Sequence, residues 1–319
     1  MPSKIQVAAI LGAMAASTQA HGILSAIKVD GTDFKAYDPS FQYQTPPPEV
    51  IEWSCPECQD QGFVEPSMYT DATKIACHKD ATAGAKVAKV AAGGTIDVTW
   101  NTWPASHNGP VIDYLAKVDD ATSAKASDLS FFKIDEAGFD SGKWATEKLI
   151  ANDLTWSVKV PESIAPGQYV LRHEIIALHS AGQENGAQNY PKCINIEVTG
   201  SGTETPAGTA ANKLYTPDDA GIKVSIYGDN SGYKIPGPAL FSGASSGSGS
   251  QTSPKAPSAT SAAPSATASA APSTPTNNNN AAAPSSGNLP KTFTIDTFVS
   301  WLEEKAGTKA RRHARAFGY

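Results

Sequence analysis

Short apolar runs broken at close intervals by glycine and proline constrain this chain most. Ile23 to Val29, Thr95 to Trp100, Leu154 to Val160, Gln168 to Ile176 and Cys193 to Val198 are strand-like. Gly93-Gly94, Pro161, Ala165-Pro166-Gly167 and Gly200 punctuate them. Short runs with such regular turn signals predict an all-β domain, an antiparallel β-sandwich. The spans Gly31 to Lys74 and Thr199 to Ile222 read as long loops, where function tends to sit on a sandwich.

Composition sets the bounds of that domain. Residues 1–20 read as a secretory signal peptide: Lys4 is the charged n-region, Ile5 to Ala16 the short apolar core, and Thr18-Gln19-Ala20 a small-residue cleavage site. The apolar core is too short to span a membrane, and no later segment is long and apolar enough. A secreted, extracellular protein without a membrane span is expected. Residues 21–241 carry nearly all the aromatics. Their seventeen Lys and Arg against twenty-eight Asp and Glu give a net charge of −11, which argues against nucleic acid as a partner and suits a neutral polysaccharide. Residues 242–289 are almost entirely Ser, Ala, Thr, Pro, Gly and Asn. They cannot bury enough apolar surface to offset chain entropy and read as a disordered linker. Residues 290–319 place Phe298, Trp301, Leu302 and Lys305 at helical spacing before a basic tail, a short amphipathic helix with Asp296 as N-cap.

Cleavage after Ala20 makes His21 the first mature residue. An N-terminal histidine offers a metal two nitrogens, its α-amine and its imidazole. The other histidines are His78, His107, His173, His179 and His313. His107 lies in a turn rich in Pro and Gly, and His179 follows a strand. Each alone reads as a hydrogen-bonded structural residue; their conjunction with Gln188-Asn189-Tyr190-Pro191 points to a site. Four cysteines, Cys55, Cys58, Cys77 and Cys193, suit an oxidising compartment and two disulfides. A zinc site at Cys55-Pro56-Glu57-Cys58 lacks a second ligand pair at matching spacing.

Longer motifs run in order through 21–241: His21-Gly22, Pro47-Pro48-Glu49-Val50-Ile51, Trp103-Pro104-Ala105-Ser106-His107-Asn108-Gly109-Pro110, Leu171 to Ser180, Gln188 to Pro191, and Ile235-Pro236-Gly237-Pro238. In these the chain resembles the fungal lytic polysaccharide monooxygenases of auxiliary activity family nine. The resemblance implies an immunoglobulin/fibronectin-like sandwich and a secreted copper enzyme, one ion per chain. It implies oxidative cleavage of cellulose or a related β-1,4-glucan by hydrogen abstraction at C1 and/or C4. O2 or H2O2 would be the co-substrate, a small reductant or cellobiose dehydrogenase the electron donor, and the enzyme a monomer. Residue by residue, it makes His21 and His107 the metal ligands and Tyr190 the axial tyrosine, with His179 and Gln188 beside the oxygen-binding position. Tyr43 and Tyr227 would stack on sugar rings, with Tyr233 nearby in sequence. Arg172 and Glu174 would lie near this polar network, while His173, for which a structural role is an equal reading, is left out of the site. Cys77 and Cys193 match the family's disulfide. Cys55 and Cys58 depart from its pattern and are expected to close a local loop.

Two non-enzymatic alternatives, a copper-acquisition protein and a wall-loosening carbohydrate binder, each lack part of this set. The first does not need His179, Gln188 and Tyr190; the second does not need His21. A glycoside hydrolase needs two carboxylates at defined separation, and these motifs offer no such pair.

Overall fold

The computed structural model describes residues 22–56 and 62–244. The signal peptide, His21, Cys58, the 242–289 linker beyond residue 244 and the 290–319 segment lie outside the described residues. Among those described, no helix is long and apolar enough to cross a membrane.

Two sheets form a β-sandwich. One has four strands: β1 (Leu24–Val29), β2 (Thr32–Lys35), β4 (Thr95–Trp100) and β9 (Thr155–Lys159), in the order β2-β1-β4-β9. The other has six: β3 (Ala88–Ala91), β5 (Val111–Val118), β6 (Ser130–Ala137), β10 (Gly167–Ala177), β11 (Gln188–Thr199) and β12 (Thr209–Ala210), in the order β12-β6-β5-β10-β11-β3. Pairing is antiparallel except where β3 runs parallel to β11, so the six-stranded sheet is mixed at that edge. A small hairpin, β7 (Phe139–Asp140) with β8 (Lys143–Trp144), leads into helix α2 (Ala145–Ala151); a one-turn helix α1 (Ala72–Ile75) lies in the first long loop.

The span from Gly31 to Lys74 is not wholly loop. Asp30 and Gly31 both have positive φ, 44° and 81°, in the two-residue turn that the pairing Val29↔Thr32 requires, and β2 follows at once. Asp-Gly is the turn pair whose backbone matches the strand twist. The Asp30 carboxylate also accepts from the Ala91 and Thr95 amides, locking the hairpin to the neighbouring turn. In the same way, Thr199 to Ile222 contains β12 and a 3-10 turn at Ala211–Lys213.

The six-stranded sheet is covered on both faces. Between the sheets, Ile27, Val29, Ile96, Val98 and Trp100 meet Leu115, Leu171, Ile175, Ile194 and Ile196. On the outer face Tyr114, Val170 and Ile176 are roofed by Tyr69, Ile75, Leu214, Tyr215 and Ile222 from the long loops. Burial on both faces accounts for the near-continuous burial of β10 and β11, in place of an alternating pattern.

The loop roof is fastened by polar groups. Arg172 makes a two-pronged pair with Glu174 (2.6 and 2.7 Å) and donates to the Ala76 and Ile75 carbonyls at 2.8 and 3.0 Å. Asn189 and Tyr215 donate to the same carboxylate, and Tyr69 donates to Asn189. The Cys77–Cys193 disulfide, expected from the resemblance, ties the turn after α1 to β11. Cys55 is also disulfide-bonded.

Candidate metal centre

The site forms where β10 ends and the turn after β4 folds back on it. The His107 amide donates to the Pro104 carbonyl at 2.9 Å, and the Trp103 indole N–H donates to the His107 carbonyl at 3.0 Å. Two backbone bonds then staple this turn to β10: Ile176 N–H to Pro110 and Leu178 N–H to Asn108 (2.8 Å). Gly109 is required between them, because a Cβ there would collide with the Ile176 carbonyl. The Asn108–Leu178 bond makes His107 and His179 flanking residues. Their imidazoles lie 4.0 Å apart between centroids with a 31° tilt, although 72 positions separate them in sequence.

Each ring is held differently. His107 is nearly buried, and its Nδ1 hydrogen-bonds the Ser106 hydroxyl at 3.1 Å. His179 is half-buried; its Nδ1 lies in the interior without a hydrogen-bond partner, and burial lowers its pKa, favouring the neutral ring.

Tyr190 and Gln188 are two residues apart on β11 and share a face. The register sets Gln188 opposite Ala177 and Tyr190 opposite Ile175, beside the end of β10 that leads to His179. The Tyr190 hydroxyl donates to Gln188 Oε1 at 2.8 Å. Its ring meets Trp103 edge-on at 5.1 Å, and Trp103 in turn stands edge-on to His107 at 6.1 Å. Burial pushes the Tyr190 phenol well above its ordinary range, so it stays protonated. Trp103 and Ser106 therefore support the site; both belong to the motif around His107, but neither was singled out there.

His21 lies outside the described residues. Its neighbour Gly22 is buried against Thr102, whose carbonyl a Cβ would strike. Ile23 and Asn101 exchange bonds of 3.0 Å each.

Tyr43 and Tyr227 are 72% and 79% exposed, the two exposed large hydrophobic side chains among the described residues. Tyr43 ends a 3-10 turn, Pro39–Tyr43, capped by Asp38. Tyr227 donates its hydroxyl to the His179 carbonyl at 2.9 Å. Tyr233 packs inward, bonded to the Gly221 carbonyl and against Trp144 at 4.8 Å.

His173 sits between the sheets, accepting from the Trp100 indole at 3.0 Å and bonding Asp113 at 2.8 Å. Arg172 and Glu174 point to the opposite, outer face, because side chains alternate along a strand. They meet the site only through Asn189, the residue between Gln188 and Tyr190, so their nearness to the site's polar network is indirect. No group of three or more His, Cys, Asp or Glu among the described residues could hold a metal ion.

Comparison with known proteins agrees with this architecture. The sequence profile of Auxiliary Activity family 9 (formerly GH61) matches residues 21–234. AA9 family lytic polysaccharide monooxygenase A of Malbranchea cinnamomea is 50% identical over 255 residues, covering 77% of this chain and 76% of that protein. Monooxygenase I of Botryotinia fuckeliana is 48% identical over 252 residues, covering 77% and 93%. Among solved structures, the extended catalytic domain of H. jecorina LPMO9A superposes with a TM-score of 0.69 at 46% identity, covering 73% of this chain and 96% of that one. A cellulose-active polysaccharide monooxygenase from M. thermophila superposes with a TM-score of 0.59 at 35% identity, covering 69% and 99%. With its sandwich and this match over two thirds of its length, the chain belongs to auxiliary activity family 9. It is a copper-dependent oxidoreductase, a lytic polysaccharide monooxygenase that cleaves polysaccharide oxidatively.

Proposed function

We propose that the mature enzyme begins at His21, is secreted, and holds one copper ion through the His21 amine and imidazole and the His107 imidazole. The Tyr190 phenol, bonded to Gln188 and set against Trp103, would stand beside that ion. The donor chemistry fits: imidazole nitrogens suit copper. Gly22 packed on Thr102, five residues before His107, supports His21 as the donor the described residues lack.

Copper held there would supply, with O2 or H2O2 and electrons from a small reductant or cellobiose dehydrogenase, the oxidising power needed to take hydrogen from C1 and/or C4 of a β-1,4-glucan unit. The protein's part is positional. Ser106 orients the His107 ring through Nδ1, and Nε2 is the nitrogen that would hold the metal. Tyr190 stays a neutral phenol and fixes Gln188 through its Oε1, so the Gln188 amide N–H groups are available to donate to an oxygen co-substrate. His179, with Nδ1 buried, presents Nε2 for proton exchange at that co-substrate. Tyr43 and Tyr227 supply stacking surfaces for sugar rings on an exposed face, which suits a crystalline chain that cannot thread a deep pocket. Cellulose is the substrate we assign, as the name of the M. thermophila relative records for that protein.

The carrying observation is the pairing of the His107 and His179 rings beside Tyr190 and Gln188. The test is to incubate copper-loaded mature protein with cellulose, with and without ascorbate, and to weigh the soluble products. Oxidised oligosaccharides that depend on reductant are expected; unoxidised products alone would refute the reading. Copper affinity provides a second check. A form with one alanine before His21 should bind far more weakly, and equal affinities would remove His21 from the site.

A further inference from the structure

Tyr227 combines two properties that seldom occur together. Its side chain is 79% exposed, yet its hydroxyl is committed to the His179 carbonyl at 2.9 Å. That carbonyl lies just beyond the β10–β11 ladder, whose last pair is Ala177↔Gln188, so no strand partner fixes it. The segment bearing Tyr227 is itself anchored under the same loop. Val224 N–H donates to the Ala181 carbonyl at 3.1 Å, and Ile222 and Ile226 share a buried cluster with Leu178 and Ala181.

The His179 ring depends on its backbone more than most. No side-chain bond steers its Nδ1, and its only described ring contact is His107. Where its backbone sits therefore decides where its imidazole sits, and the Tyr227 hydroxyl is the side-chain group that holds that backbone.

We propose that Tyr227 is a positioning residue whose exposed ring receives a sugar while its hydroxyl sets His179, so that occupation of the polysaccharide face and placement of the proton-exchanging imidazole are coupled. This rests on the roles assigned above to Tyr227 and His179. A ring tethered at its para position also cannot swing, so it meets the sugar with little orientational entropy left to lose.

Tyr227→Phe keeps the ring and removes the hydroxyl; Tyr227→Ala removes both. Two measurements use metal-free protein: adsorption isotherms on cellulose, and NMR shifts of the His179 amide and imidazole. A third uses copper-loaded protein: the rate of oxidised-product release at saturating swollen cellulose. Tyr227→Phe should adsorb within about twofold of wild type, shift the His179 resonances, and release product roughly three- to tenfold more slowly, the loss expected for one hydrogen bond. Tyr227→Ala should also weaken adsorption, by about fivefold or more. Wild-type His179 resonances and rate in Tyr227→Phe would overturn the hydroxyl's role. Wild-type adsorption by Tyr227→Ala, with the His179 shift retained, would overturn the coupling from the other side by removing the sugar platform.

Discussion

Within the proposed site, two imidazoles 4.0 Å apart have different surroundings and therefore different tasks. The Ser106 bond on Nδ1 aims His107, whereas His179 has no such partner. His107→Ala should abolish tight copper binding, read by calorimetry. His179→Ala and Gln188→Ala should leave affinity within a few-fold while lowering oxidative turnover roughly ten- to a hundredfold, the usual range for groups that orient a metal site. Copper loss in His179→Ala equal to that in His107→Ala would reverse the assignment. Away from the site, the Arg172–Glu174 pair is fully buried. Arg172→Met would strand the Glu174 carboxylate among Asn189, Tyr215 and apolar walls, costing about 3–5 kcal/mol in chemical denaturation. The double variant Arg172→Met/Glu174→Leu should recover much of that loss, because no unpaired charge remains.

Among the elements, the loop from β2 to Trp53 carries Tyr43 and is closed at its base by Glu52. Backbone bonds pair Trp53 with Cys193 and Asn195 with Ile51 on β11. The buried Glu52 carboxylate meanwhile accepts from the Tyr37 amide at 2.7 Å. Burial pushes its pKa from 4.5 up to about 7, opposed by the Lys192 charge and the Tyr37 bond. With the folded value above the unfolded one, the unfolded chain releases the proton first. Glu52 therefore subtracts stability as pH rises through the window from about 4.5 to about 7 and adds no further loss above it. Glu52→Gln keeps an acceptor for Tyr37 without the charge. Its stability relative to wild type should rise across that window by up to roughly 3 kcal/mol and be flat outside it, as measured by urea denaturation at stepped pH.

The same loop shows what the sequence could and could not convey. Apolar runs marked β1, β4, β9 and most of β10 closely, because their boundaries coincide with Gly and Pro. β2 went unread because its four residues carry little apolar signal, although Asp30-Gly31 was a usable turn signature. β11 begins at Gln188, five residues before the run starting at Cys193, because strand pairing with β10 overrides the polar stretch Gln188-Asn189-Tyr190. For the site, the motif resemblance named His107, His179, Gln188 and Tyr190. The staple from Leu178 to Asn108 that brings the two histidines together is a backbone bond, whose one trace in the sequence is Gly109, the residue that lets the turn approach β10, and a lone glycine does not name its partner. Tyr233 shows the converse: nearness in sequence to Tyr227 did not place it on the face, since Trp144 and the Gly221 carbonyl hold it inward.

For the whole molecule, the question is where the folded domain ends. The family profile stops at residue 234, but the packing does not. The buried Lys133 ammonium is paired with Glu136 at 2.6 Å and donates to the Pro236 carbonyl at 2.9 Å. Gly237, at φ 93°, presses against the Tyr114 hydroxyl, and a Cβ there would crowd it. Phe241 donates its N–H to the Lys133 carbonyl and sets its ring against Phe132 at 5.7 Å. Residues 235–241 thus act as a clasp over β6, and we propose a boundary after Phe241, before a Ser/Ala/Pro-rich segment whose one large apolar residue is Leu289. Truncation after Phe241 should cost little stability and leave copper affinity unchanged, because of the residues described beyond it only Ala244 packs against the core and the Ser/Ala/Pro-rich composition that follows cannot build one. Truncation after Lys234 removes a hydrogen bond to a buried ammonium and the Phe241 ring together. It should cost about 3–6 kcal/mol by urea denaturation, with copper affinity preserved in whatever fraction remains folded, since the described partners of Lys133 and Phe241 do not include His107 or Tyr190. A large stability loss on truncation after Phe241 would mean that more of the following segment than Ala244 packs on the sandwich. An unchanged domain ending at Lys234 would mean that the clasp only covers a core already complete without it.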